Sequence, residues 1–243
     1  MKKAIGYVYV IAAAVCWGFL GLFNRALTAA GVSLLNMMPL RFGGTAILFT
    51  VFCMMFKQQV FHIKLRHLPI FLGSGLISML LVLCGCALVS GIVGSDVGIS
   101  LEGLLMGLAS ELCYGGYTIF THYGMRYCDS FTMAYWTFLI AGIASLFLAD
   151  GPALLSALAE PRTGLAALGL MVMGTALPFT LYTKGLETVE SGKAAIIANI
   201  EPVMSAVIGV TVFQETLGLW TLVGIVLVLS GVVVLACEKE PDK

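Results

Sequence analysis

The sequence predicts an all-α polytopic membrane protein of about eight transmembrane helices. Three observations carry that expectation: an excess of apolar residues, their segregation into long runs, and the one-sided placement of basic residues. Of 243 residues, 60% are hydrophobic and 11% are charged. Soluble domains hold about 45–50% apolar and about 25% charged residues. Lipid is the solvent that suits this excess, provided each segment satisfies its own backbone groups as a helix.

A spanning helix takes about 20 mainly apolar residues, and eight runs meet that length. They cover 5–27, 34–56, 68–92, 104–124, 131–148, 165–185, 194–213 and 217–237. The connections carry turn residues: Ala30-Gly31-Val32-Ser33, Gly94-Ser95-Asp96-Val97-Gly98, and the stretch from Asp150-Gly151-Pro152 to Glu160-Pro161-Arg162. Within the last of these, Ala153–Leu158 is expected as a short surface helix. Met1-Lys2-Lys3 precedes an apolar run too long for a signal core and without a small-residue cleavage site, so it reads as an uncleaved first span.

Basic residues set the orientation. With the amino terminus inside and the chain alternating, one side holds Lys2, Lys3, Lys57, Lys64, Arg66, Arg126, Lys184, Lys193, Lys239 and Lys243. The other side holds Arg25 and Arg162, and Arg41 falls within the second span. Both termini are therefore expected in the cytoplasm, with the chain in the inner membrane. Net charge is zero, so nucleic acid is not an expected partner. The seven cysteines sit mostly in apolar runs without CxxC spacing, and the three histidines form no HExxH pattern, so neither metal nor cofactor is expected. An enzyme would need a nucleophile with its base. Ser78 and Ser110 have no histidine partner at plausible depth.

Two segments repeat at fixed offsets. Val15-Cys16-Trp17-Gly18 matches Leu112-Cys113-Tyr114-Gly115 at an offset of 97, while Leu81-Val82-Leu83-Cys84-Gly85 matches Leu227-Val228-Leu229-Ser230-Gly231 at 146. The second offset exceeds the first by 49 residues, enough for two crossings and a turn. The expected units are residues 1–93, incomplete with three crossings, and 99–239, complete with five. A unit with an odd number of crossings places its copies upside down relative to each other, a recurrent transporter design with the site between the halves.

The stretches AVCWGFLGLFNRAL, LRFGGTAILF, LCYGGYTIF, LPFTLYTKGLETVESGKAAIIANIEPVMSAVIGVTVFQETL and LVGIVLVLSGVVVL resemble EamA-like permeases of the drug/metabolite transporter superfamily. The resemblance covers nearly the whole chain and is most specific over 177–217. It implies ten helices in two five-helix inverted repeats that move small metabolites or toxic compounds, usually outward. This chain departs from that pattern where the offsets place the deficit, in the first repeat.

Charges within lipid are the sharpest site signals, because each costs about 2.5–3.5 kcal/mol at a helix centre on insertion scales. Glu201, beside Pro202, reads as a proton- or substrate-binding carboxylate or as the structural partner of Lys184 or Asn199. Arg41 either steers an anionic group or snorkels to the interface. Glu111 replaces the small residue usual in similar permeases and is either a substrate determinant or a costly substitution. Trp17, Tyr114, Tyr117, Trp136 and Tyr182 suit a pathway for organic substrates, or ordinary helix packing. Pro178 and Pro202 mark helix breaks that expose backbone groups. Trp220 reads as an interfacial belt residue, and Asn24, Thr121 and His122 as helix-end residues.

Two functions fit these residues. One is a secondary transporter of small organic molecules, an exporter working by alternating access. The other is a shortened, transport-inactive paralogue or deletion product associated with a full-length relative. Expected partners are the lipid bilayer, a small-molecule substrate, and a second copy or a related permease.

Overall fold

The computed structural model describes residues 2–61, 63–89, 101–147 and 149–237, and among them there is helix and no strand. Eight long helical rods follow the eight apolar runs. They are α1 (Ala4–Ala29), α2 (Leu35–Phe56), α3 (Leu68–Val89), α4 (Leu101–Gly124) and α5 (Ser130–Leu146). The short α6 (Gly151–Leu158) comes next. Then follow α7 (Pro161–Gly185), α8 (Ser191–Phe213) and α9 (Leu219–Cys237). Among the described residues, α1, α2, α7 and α8 are each long and apolar enough to cross a bilayer, and α5 with α6 makes a fifth if that pair, bent by 113°, is one span. The turn at 94–98, the ends of the third and fifth runs, Lys239 and Lys243 lie outside the described residues, as do the side chains of Glu111, Ser78, Ser110 and Trp220.

Local chemistry ends the rods where the sequence punctuates them. Gly31 takes φ +82, and its neighbour Val32 donates its N–H to the Leu27 carbonyl at 3.0 Å. That is the left-handed stop that satisfies orphan carbonyls at a helix end, and glycine adopts it without steric cost. The Ser33 side chain then caps α2 by accepting from the Asn36 N–H at 3.2 Å. Asp150 caps α6 in the same way, accepting from the Ala153 N–H. Gln214, with φ 55, stops α8, and the Glu215 N–H reaches back to the Gly209 carbonyl at 3.1 Å.

The rods pack so that helix ends expected on one face meet one another. The Asn36 side chain exchanges hydrogen bonds with the Asp150 backbone, tying the start of α2 to the turn before α6. Arg25 at the end of α1 pairs with Glu215 beyond α8. On the opposite face, Lys57 at the end of α2 pairs with Asp129 before α5 at 2.7 Å. This pairing of ends fits a chain that crosses and returns at each rod. In the interior, α1 lies against α7 and α8, α3 lies against α4 and α5, and α2 lies between α5 and α7.

Two rods carry a π-helical turn, at Pro39–Gly44 in α2 and Val172–Ala176 in α7. The two turns are neighbours, and the Thr45 hydroxyl donates to the Met171 carbonyl at 3.2 Å. A π turn is a single widened turn that recurs at functional positions in helices. Pro178, which lacks an N–H, lies two residues past the second turn, and α7 continues through both as one span. In α8 the helix is interrupted at Asn199, just before Pro202.

Candidate functional site

Four of the aromatic residues singled out from the sequence meet at the centre of this arrangement. Trp17 of α1 lies with its ring centroid 6.3 Å from Tyr114 of α4 and 5.3 Å from Tyr182 of α7. Tyr114 and Tyr182 are 6.0 Å apart. Tyr117, one turn along α4 from Tyr114, joins through Phe179, with centroids 5.5 Å apart. Such separations suit edge-to-face contact between quadrupolar rings. Trp17 is 3% exposed, Tyr117 1% and Tyr182 0%, while Tyr114 is half-buried.

Phe179, Phe138 and Phe42 are rings that sequence reasoning missed, and Phe179 is the central one. It stands 5.0 Å from both Trp17 and Phe138, and Phe138 stacks on Phe42 at 6.0 Å. The cluster therefore draws on α1, α2, α4, α5 and α7. Its position beside Pro178, one residue past a proline in a span, was the available signal. The π turn of α2 had a similar signal in Pro39.

Polar groups border the rings. The hydroxyls of Thr118 and Tyr182 share a hydrogen bond of 3.2 Å. The Trp17 indole Nε1 is buried with no acceptor among the described residues. Buried donors are nearly always paired, so this one marks a place where an acceptor belongs. Arg41, in the π turn of α2, holds its guanidinium carbon 5.9 Å from the ring centres of Phe179 and Phe42, within cation–π range. Glu201 is half-buried in the first turn after the Asn199 interruption, within electrostatic reach of Tyr114. Lys184, one of the donors expected near Glu201, donates to Glu187 at 2.7 Å.

Trp136 stands apart from the cluster. Its indole N–H donates to the Val60 carbonyl at 2.9 Å, and its ring packs on Phe71 and Tyr135. It pins the 57–61 stretch onto α5. Thr121, expected near a helix end, is buried between rods, where the Ser74 hydroxyl lies 3.4 Å from it and 2.8 Å from that of Thr137. This seam joins α3, α4 and α5. Among the described residues no group of three His, Cys, Asp or Glu side chains is placed to hold a metal, and Cys16, Cys53, Cys113 and Cys128 form no disulfide.

Comparison with known proteins agrees with this architecture. Residues 101–237 match the EamA-like transporter family. The chain is similar to the uncharacterized transporter YwfM of Bacillus subtilis, with 26% identity over 174 residues, 70% of this chain and 57% of that protein. It is also similar to the uncharacterized inner membrane transporter YicL of Salmonella typhimurium, with 26% identity covering 60% of this chain and 48% of that protein. A stretch of 87 residues is 32% identical to multidrug resistance protein EbrB of Bacillus atrophaeus, covering 35% of this chain and 74% of that protein. The chain spans about half the length of the two uncharacterized transporters. The family match extends over more than half of the sequence and falls on the rods that supply Tyr114, Phe138, Phe179 and Tyr182; the chain belongs to the EamA-like transporter family and is a multi-pass membrane protein.

Proposed function

We propose that the chain is a secondary transporter that exports small organic metabolites or drugs across the cytoplasmic membrane by alternating access, with both termini in the cytoplasm. The observation that carries this reading is the contact of Trp17 with Tyr114 at 6.3 Å. The two residues hold equivalent positions in the 97-residue repeat. Equivalent residues touch only where they lie close to a shared two-fold axis. Such an axis is where inverted-repeat transporters place substrate. The aromatic faces suit a flat or apolar organic body, and the unpaired Trp17 N–H offers it one hydrogen bond. Arg41 and Glu201 are the charged groups proposed to set substrate charge, and Glu111 to modulate it. Packed rings would have to part for substrate to enter, which is the work of two halves rocking. Purified chain reconstituted in vesicles should carry substrate-dependent flux for at least one member of a panel of amino acids and cationic drugs. Absence of flux across the panel counts against transport by this chain alone.

The 49-residue deficit in the first repeat favours a second reading. On it, the chain is a transport-inactive paralogue that associates with a full-length permease. That reading expects no flux from the chain alone, and altered flux when a related permease is reconstituted with it.

A further inference from the structure

Away from the aromatic cluster, a cleft of about 720 Å³ opens at the face where α2 and α4 end and α3 and α5 begin. Its rim carries Lys57, Lys64, Arg66 and Arg126 against the single carboxylate of Asp129, an excess of three positive charges with His67 left out of the count. Asp129 is engaged by Lys57, which leaves Lys64, Arg66 and Arg126 to act on whatever enters. Within the cleft, the His67 ring stacks on Tyr127 with centroids 4.4 Å apart, and its Nε2 is buried with no hydrogen-bond partner among the described residues. The wall is held in place, since Trp136 bonds the Val60 carbonyl and packs on Phe71, both lining residues. A fixed, open concavity with convergent cations and one orphaned polar nitrogen suits a tetrahedral anion.

We propose that this cleft seats the phosphate of an anionic phospholipid headgroup from the adjoining leaflet. The level of the cleft favours lipid over a dissolved anion. The last turn of α2 exposes Met54, Met55 and Phe56, with Phe56 70% exposed, and Lys57 follows immediately on the rim. A lipid with its phosphate at Arg66 and Arg126 therefore has apolar surface beside it for its acyl chains. Basic pockets at the ends of spanning helices recognise phospholipid headgroups by this combination. The proposal needs only that the chain spans a bilayer and does not depend on the export mechanism.

The test uses the purified full chain in nanodiscs of equimolar phosphatidylcholine and phosphatidylglycerol, released and weighed by native mass spectrometry. Retained phosphatidylglycerol should exceed phosphatidylcholine. Because Lys64, Arg66 and Arg126 are all exposed, their substitution leaves the helix packing intact. Each of K64Q, R66Q and R126Q should lower the excess by about fivefold, whereas R162Q on the opposite face should leave it unchanged. The charge-preserving pair R66K/R126K should retain most of it. Equal retention of the two lipids, or an excess indifferent to these three substitutions, would overturn the proposal. Displacement of phosphatidylglycerol by millimolar inorganic phosphate would also overturn it, assigning the cleft to a soluble anion.

Discussion

Arg25 and Glu215, 190 residues apart in sequence, form a salt bridge of 2.5 Å that joins the end of α1 to the turn after α8. The Arg25 guanidinium carbon also lies 4.4 Å from the centre of the Phe213 ring. On the opposite face, Lys57 and Asp129 join α2 to the turn before α5. Each pair takes its cation from the expected first repeat and its carboxylate from the second. Ion pairs of this kind suit reversible closure, because they are weak enough to break. Both partners of the Arg25–Glu215 pair are about half exposed, so water screens them.

Glu215→Gln should therefore loosen one face without unfolding the chain. Thermal unfolding in detergent should shift by the equivalent of less than about 1 kcal/mol. Labelling of Cys16, next to Trp17 in α1, by a water-soluble maleimide should become faster as α1 and α8 separate, with the site located by peptide mass. The charge exchange R25E/E215R should restore the slower rate. An unchanged rate in Glu215→Gln would show that the pair does not hold this face closed.

Substitutions at Trp17 separate packing from hydrogen bonding. The residue is 3% exposed and touches three other rings. Trp17→Ala should cost about 3–5 kcal/mol through the cavity it leaves. Trp17→Phe keeps most of the ring and removes the unpaired N–H, so stability should change little. The apparent KM for a transported substrate should rise about fivefold, the equivalent of ~1 kcal/mol for one hydrogen bond. A Trp17→Phe protein with unaltered KM would place the substrate elsewhere.

The rods were legible in the sequence because lipid imposes a length and a composition on each one, and Gly31, Ser33 and Asp150 announce their ends by known capping chemistry. Trp17 and Tyr114 stood out in the sequence at matching places of the expected repeat, whereas their contact depends on how α1 and α4 are arranged. Beyond its place beside Pro178, the inward aim of Phe179 was not legible, because an apolar ring on an apolar helix looks the same whether it faces lipid or the centre. Trp136 shows the same limit from the other side: an indole in a span reads as pathway, and its acceptor, the Val60 carbonyl, comes from a loop 76 residues away. The Ser74–Thr137 seam and the basic cleft likewise depend on which rods are neighbours, and hydropathy does not encode that.

Close approach of α2 and α5 rests on glycine at position 142. A Cβ there would lie 2.9 Å from the Gly43 Cα and 3.1 Å from its nitrogen, both backbone atoms that cannot swing aside. Small residues at such crossings let membrane helices pack backbone to backbone. Gly142→Ala should lower stability by about 1–3 kcal/mol through overpacking. Gly115→Ala, in the repeat motif on α4, meets nothing within 4 Å and should be neutral or slightly stabilising. Thermal unfolding of the two variants in one detergent checks the contrast, and equal effects would contradict the crossing geometry.

Asp129 gives the chain a defined acid response at the basic face. Partial burial pushes its carboxyl up, but hydrogen bonds from Lys57 and Thr132, with the lysine charge, outweigh that and hold it below its ordinary value. A carboxyl depressed in the folded state adds stability above its unfolded pKa of about 3.9, and loses it as pH falls through the folded value. The contribution should be intact at pH 7 and at pH 5, and should disappear only below about pH 4. Because Asp129 is about half exposed, screening limits the effect, and Asp129→Asn should cost less than about 1 kcal/mol at pH 7. Melting curves of wild type and Asp129→Asn recorded from pH 7 downward should converge as the wild-type carboxyl is protonated. A gap that persists unchanged to pH 2 would mean that Asp129 acts through its shape and hydrogen bonds rather than through its charge.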